Sequence, residues 1–336
     1  MVCECGGQVV EEGSPRRHQQ IELPEIVPIV REYEFAKGKC THCGKRQHAV
    51  LPKGVDLRKM GPRLRSLASV LTIEYHLSRR QIQKYLSEVF KIKVSLGCLS
   101  ETEGDTSNRL LPLYEELGKH VRNAKHLHID ETGYRQQTKR GWLWLSCTTE
   151  FSYYKLSPSR SRQTLVSLIG EQYAGEITSD RYGAYNLIPL DRRQLCWAHI
   201  TRDIKRLSQS QDKSTRRIGW KLLHCQEDFF KHLKECAELK LPCNESHVGV
   251  LRKRFLAWLR IGAQKASKQF RGTCRNILNQ EEALWRCTVT ARDPTNNAAE
   301  REIRPAVIHR KITLGVQSVR GAQFFPTSAL FSMIKK

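Results

Sequence analysis

The spacing of apolar residues changes along the chain, and each change marks a boundary. Within residues 1–52, "IVPIVREYEFAKGK" alternates apolar and polar positions like a strand between two cysteine-bearing turns. Residues 53–120 switch to helical spacing. Leu64, Leu67 and Leu71 share one face, and "SRRQIQKYLSEVF" opens with a capping box of Ser78 and Gln81 and stacks Ile82, Leu86 and Val89. A further helix opens near Ser95. From 121 the period shortens again. "HLHIDETGYRQQ" is strand-like, and "GWLWLSCTTE" and "FSYYKLS" read as the next two strands of a meander. "SRQTLVSLIGEQY" is an amphipathic helix, and "AGEITSD" and "RRQLCWAH" are short strands.

Three antiparallel strands, a helix and further strands are the order of an RNase H-like domain. The expected fold is therefore α/β: an RNase H-like mixed sheet flanked by helices. It carries a helical insertion, an N-terminal zinc-ribbon-like module and a helical DNA-binding region. The expected boundaries are a zinc-ribbon-like module over 1–52 and a helix-turn-helix-like region over 53–120. The RNase H-like core begins over 121–205, is interrupted by a basic helical insertion over 206–285, and resumes with the Glu300 helix over 286–322. A divergent C-terminus covers 323–336. The helices of 53–120 suit a helix-turn-helix DNA reader or a plain helical connector.

Charge narrows the partner. The chain has 57 Lys+Arg against 34 Asp+Glu, a formal net charge of +23, and such an excess points to a polyanion. Within 250–275 there are eight Lys/Arg and no acid, with Phe255, Trp258 and Phe270 interleaved. Arg252, Lys253 and Arg254 there are candidates for phosphate contacts, although the aromatics also suit a helix that packs them inward. No apolar run approaches the roughly 18 residues of a membrane span, and the N-terminus lacks the pattern of a signal peptide. The expected location is cytoplasmic, at the nucleoid.

Without a secretion signal, the twelve Cys are expected as thiols or metal ligands. Cys3 and Cys5 stand in "CECGG", and Cys40 and Cys43 in "CTHCGK". Two cysteine pairs on turns joined by strands make a zinc ribbon, with four thiolates closing one tetrahedral site. The first pair is one residue tighter than the usual C-x-x-C, which leaves four free thiols in a small β-module as the alternative.

The carboxylates carry the chemistry. "HIDETGYR" ends a strand on Asp130 and Glu131, and "ITSDRYGAYN" ends one on Asp180. Glu300 lies in "RDPTNNAAEREIRPAVIHRK", read as a helix starting at Asp293 with Pro294 in its first turn. Asn297, Glu300, Arg301 and Arg304 then share one face, and Glu300 alone would be simplest as the partner of Arg304. Taken together, two strand-end aspartates and a helical glutamate make an oxygen ligand set for Mg²⁺ (or Mn²⁺). Two such ions suit phosphoryl transfer. In a basic chain that combination reads as a nuclease or strand-transfer centre.

"HIDETGYR", "WLWL", "SDRYGAYN", "RQLCWAHITRD", "PTNNAAEREIRPAVIHRKI" and "GVQSVRGAQFF" resemble the core of transposases of the insertion sequence sixty-six family. That family has DDE chemistry on an RNase H-like core. The resemblance implies Asp130, Asp180 and Glu300 as catalytic metal ligands for two divalent ions. It also implies cleavage of element ends and joining of 3′-OH ends to target DNA. The partners it implies are terminal inverted repeats and target DNA, a homo-oligomer on that DNA, and accessory proteins of the element. Arg301, Arg304, Arg310 and Lys311 are candidates for backbone phosphates, and Asn296 and Asn297 for support of the site or DNA contact. Cys196 and His199 match a C-x-x-H element of many DDE transposases; burial behind the centre explains them as well as ligation does. After "GAQFF" the chain leaves the family pattern. The alternatives are a catalytically decayed, transposase-derived DNA-binding protein and an RNase H-like nuclease without strand transfer.

Overall fold

The computed structural model describes residues 2–10, 13–14, 16–50, 52–56, 58–313, 316 and 318–328. The chain divides into two units, Met1–Val55 with Lys84–Lys93, and Asp56–Gln83 with Val94–Lys336.

The first unit holds a short antiparallel hairpin, β1 (Lys37–Lys39) and β2 (Arg46–His48), pairing Lys37 with His48. The strand expected from residue 26 onward is confined to these three residues. Ile26, Val27, Ile29 and Val30 lie exposed without a partner strand. Alternation alone cannot make a strand when no second strand takes up its backbone groups, and Pro28 has no N–H to offer.

The second unit opens with α1 (Pro62–Ile73), the start of α2 (Arg79–Phe90) and α3 (Leu96–Asn123). The capping box forms as expected: Ser78 N donates to Gln81 Oε1 at 2.8 Å, and Gln81 N to Ser78 Oγ at 3.3 Å. Ser95 caps α3 through Cys98 N at 3.1 Å. Ile82 and Leu86 are buried, whereas Val89 is exposed.

The sheet comprises β3 (His126–Gln136), β4 (Lys139–Cys147), β5 (Ser152–Ser157), β6 (Glu176–Ser179) and β7 (Arg193–Leu195), in the order β5-β4-β3-β6-β7. β3, β4 and β5 are antiparallel neighbours, and β6 and β7 run parallel to β3. This is a mixed α/β architecture. On one face α4 (Arg162–Ile169) packs Leu165 and Leu168 on Leu127, Ile129, Trp144 and Tyr185. On the other, α11 (Asn297–Thr313) and α12 (Val319–Ser328) pack Ala299, Ile303 and Phe325 on Leu143, Leu145 and Tyr154. The alternation of β3 is what allows both faces to be filled. The segment after "GAQFF" is not loose up to Ser328: Pro326, Thr327 and Ser328 are buried. Residues 329–336 lie outside the described ones.

Between β7 and α11 the chain makes a helical excursion. It runs through α5 (Trp197–Ser208), α6 (Lys213–Leu239), α7 (Glu245–Lys265), α8 (Lys268–Leu278), α9 (Glu281–Leu284) and α10 (Arg286–Thr290). Its core centres on Trp197, whose ring lies 5.0 Å from Phe229, 5.4 Å from Phe255 and 5.4 Å from Trp285. Phe255 is buried and Trp258 and Phe270 pack against the same core, so the aromatics of the basic segment face inward. Among the described residues no helix is long and apolar enough to cross a membrane.

α11 starts at Asn297, four residues after the expected Asp293. Asp293 Oδ1 instead accepts from Thr295 N and Thr295 Oγ1, both at 2.7 Å. That turn competes with a helical start.

Gly219 is where α6 crosses α5: a Cβ there would collide with the backbone of Leu207 and Ser208. Backbone cannot yield as a flexible side chain can. Gly219→Ala is therefore expected to cost about 2–4 kcal/mol in denaturant unfolding. An unchanged midpoint would show that the two helices can separate freely.

Candidate active site

Asp130 and Asp180 are brought together by the parallel pairing of β3 with β6. The ladder matches His126 with Glu176, Leu127 with Ile177 and His128 with Thr178. Continuing that register by two residues sets Asp130 level with Asp180, just past the end of β6 but midway along β3, which runs on to Gln136 against β4 instead of ending on Asp130 and Glu131 as expected. Asp180 Oδ1 accepts from Tyr182 N at 2.8 Å, which fixes its carboxylate in a tight turn. Beneath that turn the buried Arg193 donates to the Asp180 carbonyl at 2.7 Å, to Asn186 Oδ1 at 3.1 Å and to Ser179 Oγ at 3.3 Å.

Glu300 arrives from the far end of the excursion. Asn296, only 1% exposed, guides it. Its Nδ2 donates to the Ile129 carbonyl at 2.8 Å, its Oδ1 lies 3.1 Å from His128 Nδ1, and its N–H donates to Cys196 Sγ at 3.1 Å. Glu300 N then donates to the Asn296 carbonyl at 3.1 Å, one helical turn on. The carboxylate does not pair with Arg304: its Oε1 faces His199 Nδ1 at 3.6 Å, too far for a hydrogen bond, and both atoms are buried without a hydrogen-bond partner. Cys196, His199 and Glu300 form one close group of ligand-type atoms.

Asp130 feels all of this. Burial first, then the negative neighbours Glu131, Asp180 and Glu300, push its carboxyl up to about 7, against the Glu131 N–H that donates to its Oδ1 at 2.9 Å. Asp130, Asp180 and Glu300 offer the hard oxygen donors of Mg²⁺ or Mn²⁺; among the described residues their carboxylate oxygens do not form one close group. The donor set fits such ions.

Glu131 plays a different role. Successive strand residues face opposite ways, and Glu131 turns into the α4 side of the sheet. Arg160 Nε donates to it at 2.6 Å and the Tyr185 hydroxyl donates to its other oxygen. Arg160 lies 3.6 Å over the Tyr182 ring, 4.9 Å from the Trp142 ring and 4.0 Å from Asp180 Oδ2. Nothing in the spacing of Arg160 or Arg193 marks them as site residues. Tyr182 and Tyr185 stand in the "SDRYGAYN" motif.

The basic candidates divide. Arg301, Arg304 and Lys311 are exposed on α11. Arg310 reaches Thr132 Oγ1 at 3.0 Å and the Gly133 carbonyl, tying α11 to β3. Arg252 forms a two-pronged pair with Glu281 at 2.9 and 2.7 Å, and Arg254 pairs with Asp228. Lys253 is exposed. In the N-terminal unit each cysteine pair closes a turn. Cys3 N donates to the Gly7 carbonyl at 2.9 Å, and Cys43 N approaches Cys40 Sγ at 3.5 Å. Hydrogen bonding from the Cys5 backbone holds the Cys3 thiol below its ordinary range, and from the Cys43 and His42 backbones the Cys40 thiol. Among the described residues the groups of three or more potential ligands lie elsewhere, so the two pairs do not meet in one group.

The fold and the three acids define a class, an α/β protein with a carboxylate centre on a mixed sheet. The family model described as "Transposase IS66 family" matches residues 59–324, and the chain belongs to that family. It is also similar to two uncharacterized proteins of Sinorhizobium fredii (strain NBRC 101917 / NGR234). It is 22% identical to y4qI, over 71% of this chain and 49% of that protein. It is 24% identical to y4hP, over 95% of this chain and 64% of that protein. The chain thus spans half to two thirds of the curated relatives it matches.

Because Asp130 binds its proton more tightly folded than unfolded, its contribution to metal-free stability is full below about pH 4 and is lost as pH rises through about 7. Asp130→Asn removes that loss. In chelator, thermal melting should show the variant and the parent alike near pH 4, with the variant more stable by on the order of 1–3 kcal/mol at pH 8. Parallel pH profiles would mean that Asp130 is not strained by its neighbours.

Proposed function

We propose that this chain is a DDE transposase, carrying out DNA phosphoryl transfer on an RNase H-like core. The sheet order, three antiparallel strands followed by two parallel ones, supports that core. What supports the reading is that Asp130 and Asp180 stand level in the β3–β6 register and that the charges of Asp180 and Glu300 both act on the Asp130 carboxyl. In this reading the three acids hold two Mg²⁺ or Mn²⁺ ions. When bound, such ions supply activation of the attacking oxygen and stabilisation of the leaving oxygen.

The chain's own residues then have distinct tasks. Asp180 is held by its turn and Arg193, and Glu300 by Asn296. Arg160 pairs with Glu131 on the opposite face and holds that carboxylate away from the centre. Arg301, Arg304 and Lys311 run along the same helix as Glu300 and are placed for the phosphates of a DNA strand leading into the site. The substrates are the terminal inverted repeats of a mobile element and target DNA. Hydrolysis of a phosphodiester frees a 3′-OH, and that hydroxyl attacks a target phosphate. A homo-oligomer holding two ends, accessory proteins of the element and a location at the nucleoid follow from the same reading. The helices α1 to α3 are the candidates for end recognition. Zinc held by Cys3, Cys5, Cys40 and Cys43 would have to draw together two cysteine pairs that do not form one group here.

Labelled element ends with Mg²⁺ test the chemistry. Cleavage and covalently joined products are expected, and Asp180→Asn or Glu300→Gln should reduce both by on the order of 100-fold or more. DNA binding should persist in these variants. Cleavage without joining would leave a nuclease, and binding without cleavage by the parent a DNA-binding protein.

DNA affinity should fall steeply with salt. Replacing Arg301, Arg304 and Lys311 by Ala should flatten the log–log slope by roughly 0.9 for each phosphate no longer neutralised. Arg310→Ala should instead lower stability, because its guanidinium serves β3. If the triple variant kept the parental slope, the strand would have to approach from another side.

A further inference from the structure

The hairpin of α6 and α7 carries a second group of metal-type side chains, away from the acidic centre. His232 and Cys236 are four residues apart near the end of α6, and Cys243 and His247 are four apart across the start of α7. Spacing of four places His232 and Cys236 on one face of α6, while Cys243 lies just before the Asn244 cap of α7 and His247 in its first turn. The turn between the helices brings the two pairs together. Ligand atoms of His232, Cys236 and Cys243 all lie within 4.8 Å of one another. Cys236 Sγ is 3.6 Å from His232 Nε2, and the His247 ring centroid is 4.5 Å from that of His232.

We infer that His232, Cys236, Cys243 and His247 form a structural zinc site at the tip of this hairpin. Tetrahedral zinc with bonds of about 2.0–2.3 Å sets neighbouring ligand atoms roughly 3.3–3.8 Å apart, and the sulfur–nitrogen separation falls in that range. Two thiolates and two imidazoles are the donor set of structural zinc. Binding replaces the thiol protons of Cys236 and Cys243, which pass to solvent.

The packing explains what the metal does there. The hydrophobic core of the excursion reaches along α6 to Leu233 and takes up Cys243 and then Val248 on the return. Beyond it, Leu239 and Leu241 are 68% and 59% exposed, and the chain reverses through Lys240 with φ 54°. That conformation is costly for a residue with a side chain. At the tip Leu239 and Leu241 turn to solvent and do not hold the two helix ends together, and the four ligands stand between those ends. A cation there takes over the closure.

The test uses the full chain with Cys40→Ser and Cys43→Ser, so that the N-terminal cysteines contribute nothing. Purified from zinc-supplemented cells, this protein should retain a single zinc equivalent. Cobalt replacement should give the d–d bands of a tetrahedral site with thiolate charge transfer. Adding Cys236→Ser and Cys243→Ser should abolish both signals. Should those changes unfold the chain, hydrogen exchange on the unsubstituted protein decides. Stripping with a strong chelator should speed exchange over 232–247 and leave α5 protected, and zinc should restore the original rates. Zinc content equal in the two serine backgrounds, an octahedral cobalt spectrum, a Cys236–Cys243 disulfide in metal-free protein, or exchange indifferent to chelator would each overturn the site. None of these readouts depends on transposition.

Discussion

The buried amide of Asn296 is the constraint on which the centre depends. β3 loses its parallel partner after His128, because β6 ends at Ser179. The Ile129 carbonyl therefore lies beyond the ladder, and Asn296 Nδ2 donates to it. An amide that donates through its nitrogen must accept through its oxygen, so the His128 Nδ1 beside it carries the proton. That fixes the imidazole tautomer as well as the ring. A Leu at 296 would fill the space and leave the Ile129 carbonyl and His128 Nδ1 unbound. One residue thus closes the sheet edge and orients a histidine through its side chain, and starts the helix that carries Glu300 through its backbone carbonyl. The cost of burying an amide is offset by partners for each of its groups.

Charge is arranged around that frame so that the protein can fold before any cation arrives. Four acids are involved, and they are not equivalent. Glu131 is countered by Arg160 and Tyr185 on the α4 face. On the Asp130 face the neighbours along β3 are histidines. Burial, with His128 and Arg292 adding to it, lowers His126 to about 3, and burial also lowers His128. The two rings therefore stand neutral at ordinary pH and neither repel a cation nor pair with Asp130. The remaining repulsion falls on Asp130, whose carboxyl rises to about 7. A centre of this kind is held open by its surroundings and not by mutual attraction of its members.

Much of this was legible in the order of the residues. Strand spacing, the Ser78–Gln81 box, the Ser95 cap and the helix after Ser161 depend on neighbours within a few positions, and such signals survive without tertiary context. The strand expected before Lys37 and the helix start expected at Asp293 failed for the opposite reason. The first needed a partner strand that the fold does not supply, and the second lost to a side-chain turn at Thr295. Long-range ion pairing was invisible as well. Arg252, Lys253 and Arg254 read as one basic run, yet Arg252 and Arg254 turn to Glu281 and Asp228. Arg160 and Arg193 act through partners that adjacent residues do not reveal. The three acids could be nominated from motifs, but the register that sets Asp130 level with Asp180 and the Asn296 contacts at the start of the Glu300 helix could not.

The helical excursion shows how a long insertion can leave a centre undisturbed. Its entry and exit are fastened to each other at the base. Trp197 N donates to the Pro294 carbonyl at 3.0 Å, and Cys196 N to the Ser179 carbonyl at 2.9 Å. Closing a loop at its base confines its motions to what lies beyond the clasp. Trp197, the first residue past the clasp, is also the residue around which the excursion's aromatic core assembles. The bundle therefore grows from the point where it leaves the sheet, and its packing presses on the clasp. His199, on the first turn of α5, faces Glu300 across that same joint. A change in how the bundle sits on Trp197 would be felt at Glu300 through a single helical turn, whereas Asp130 and Asp180 are set by the sheet. Of the three acids, Glu300 is thus the one whose position the excursion can adjust.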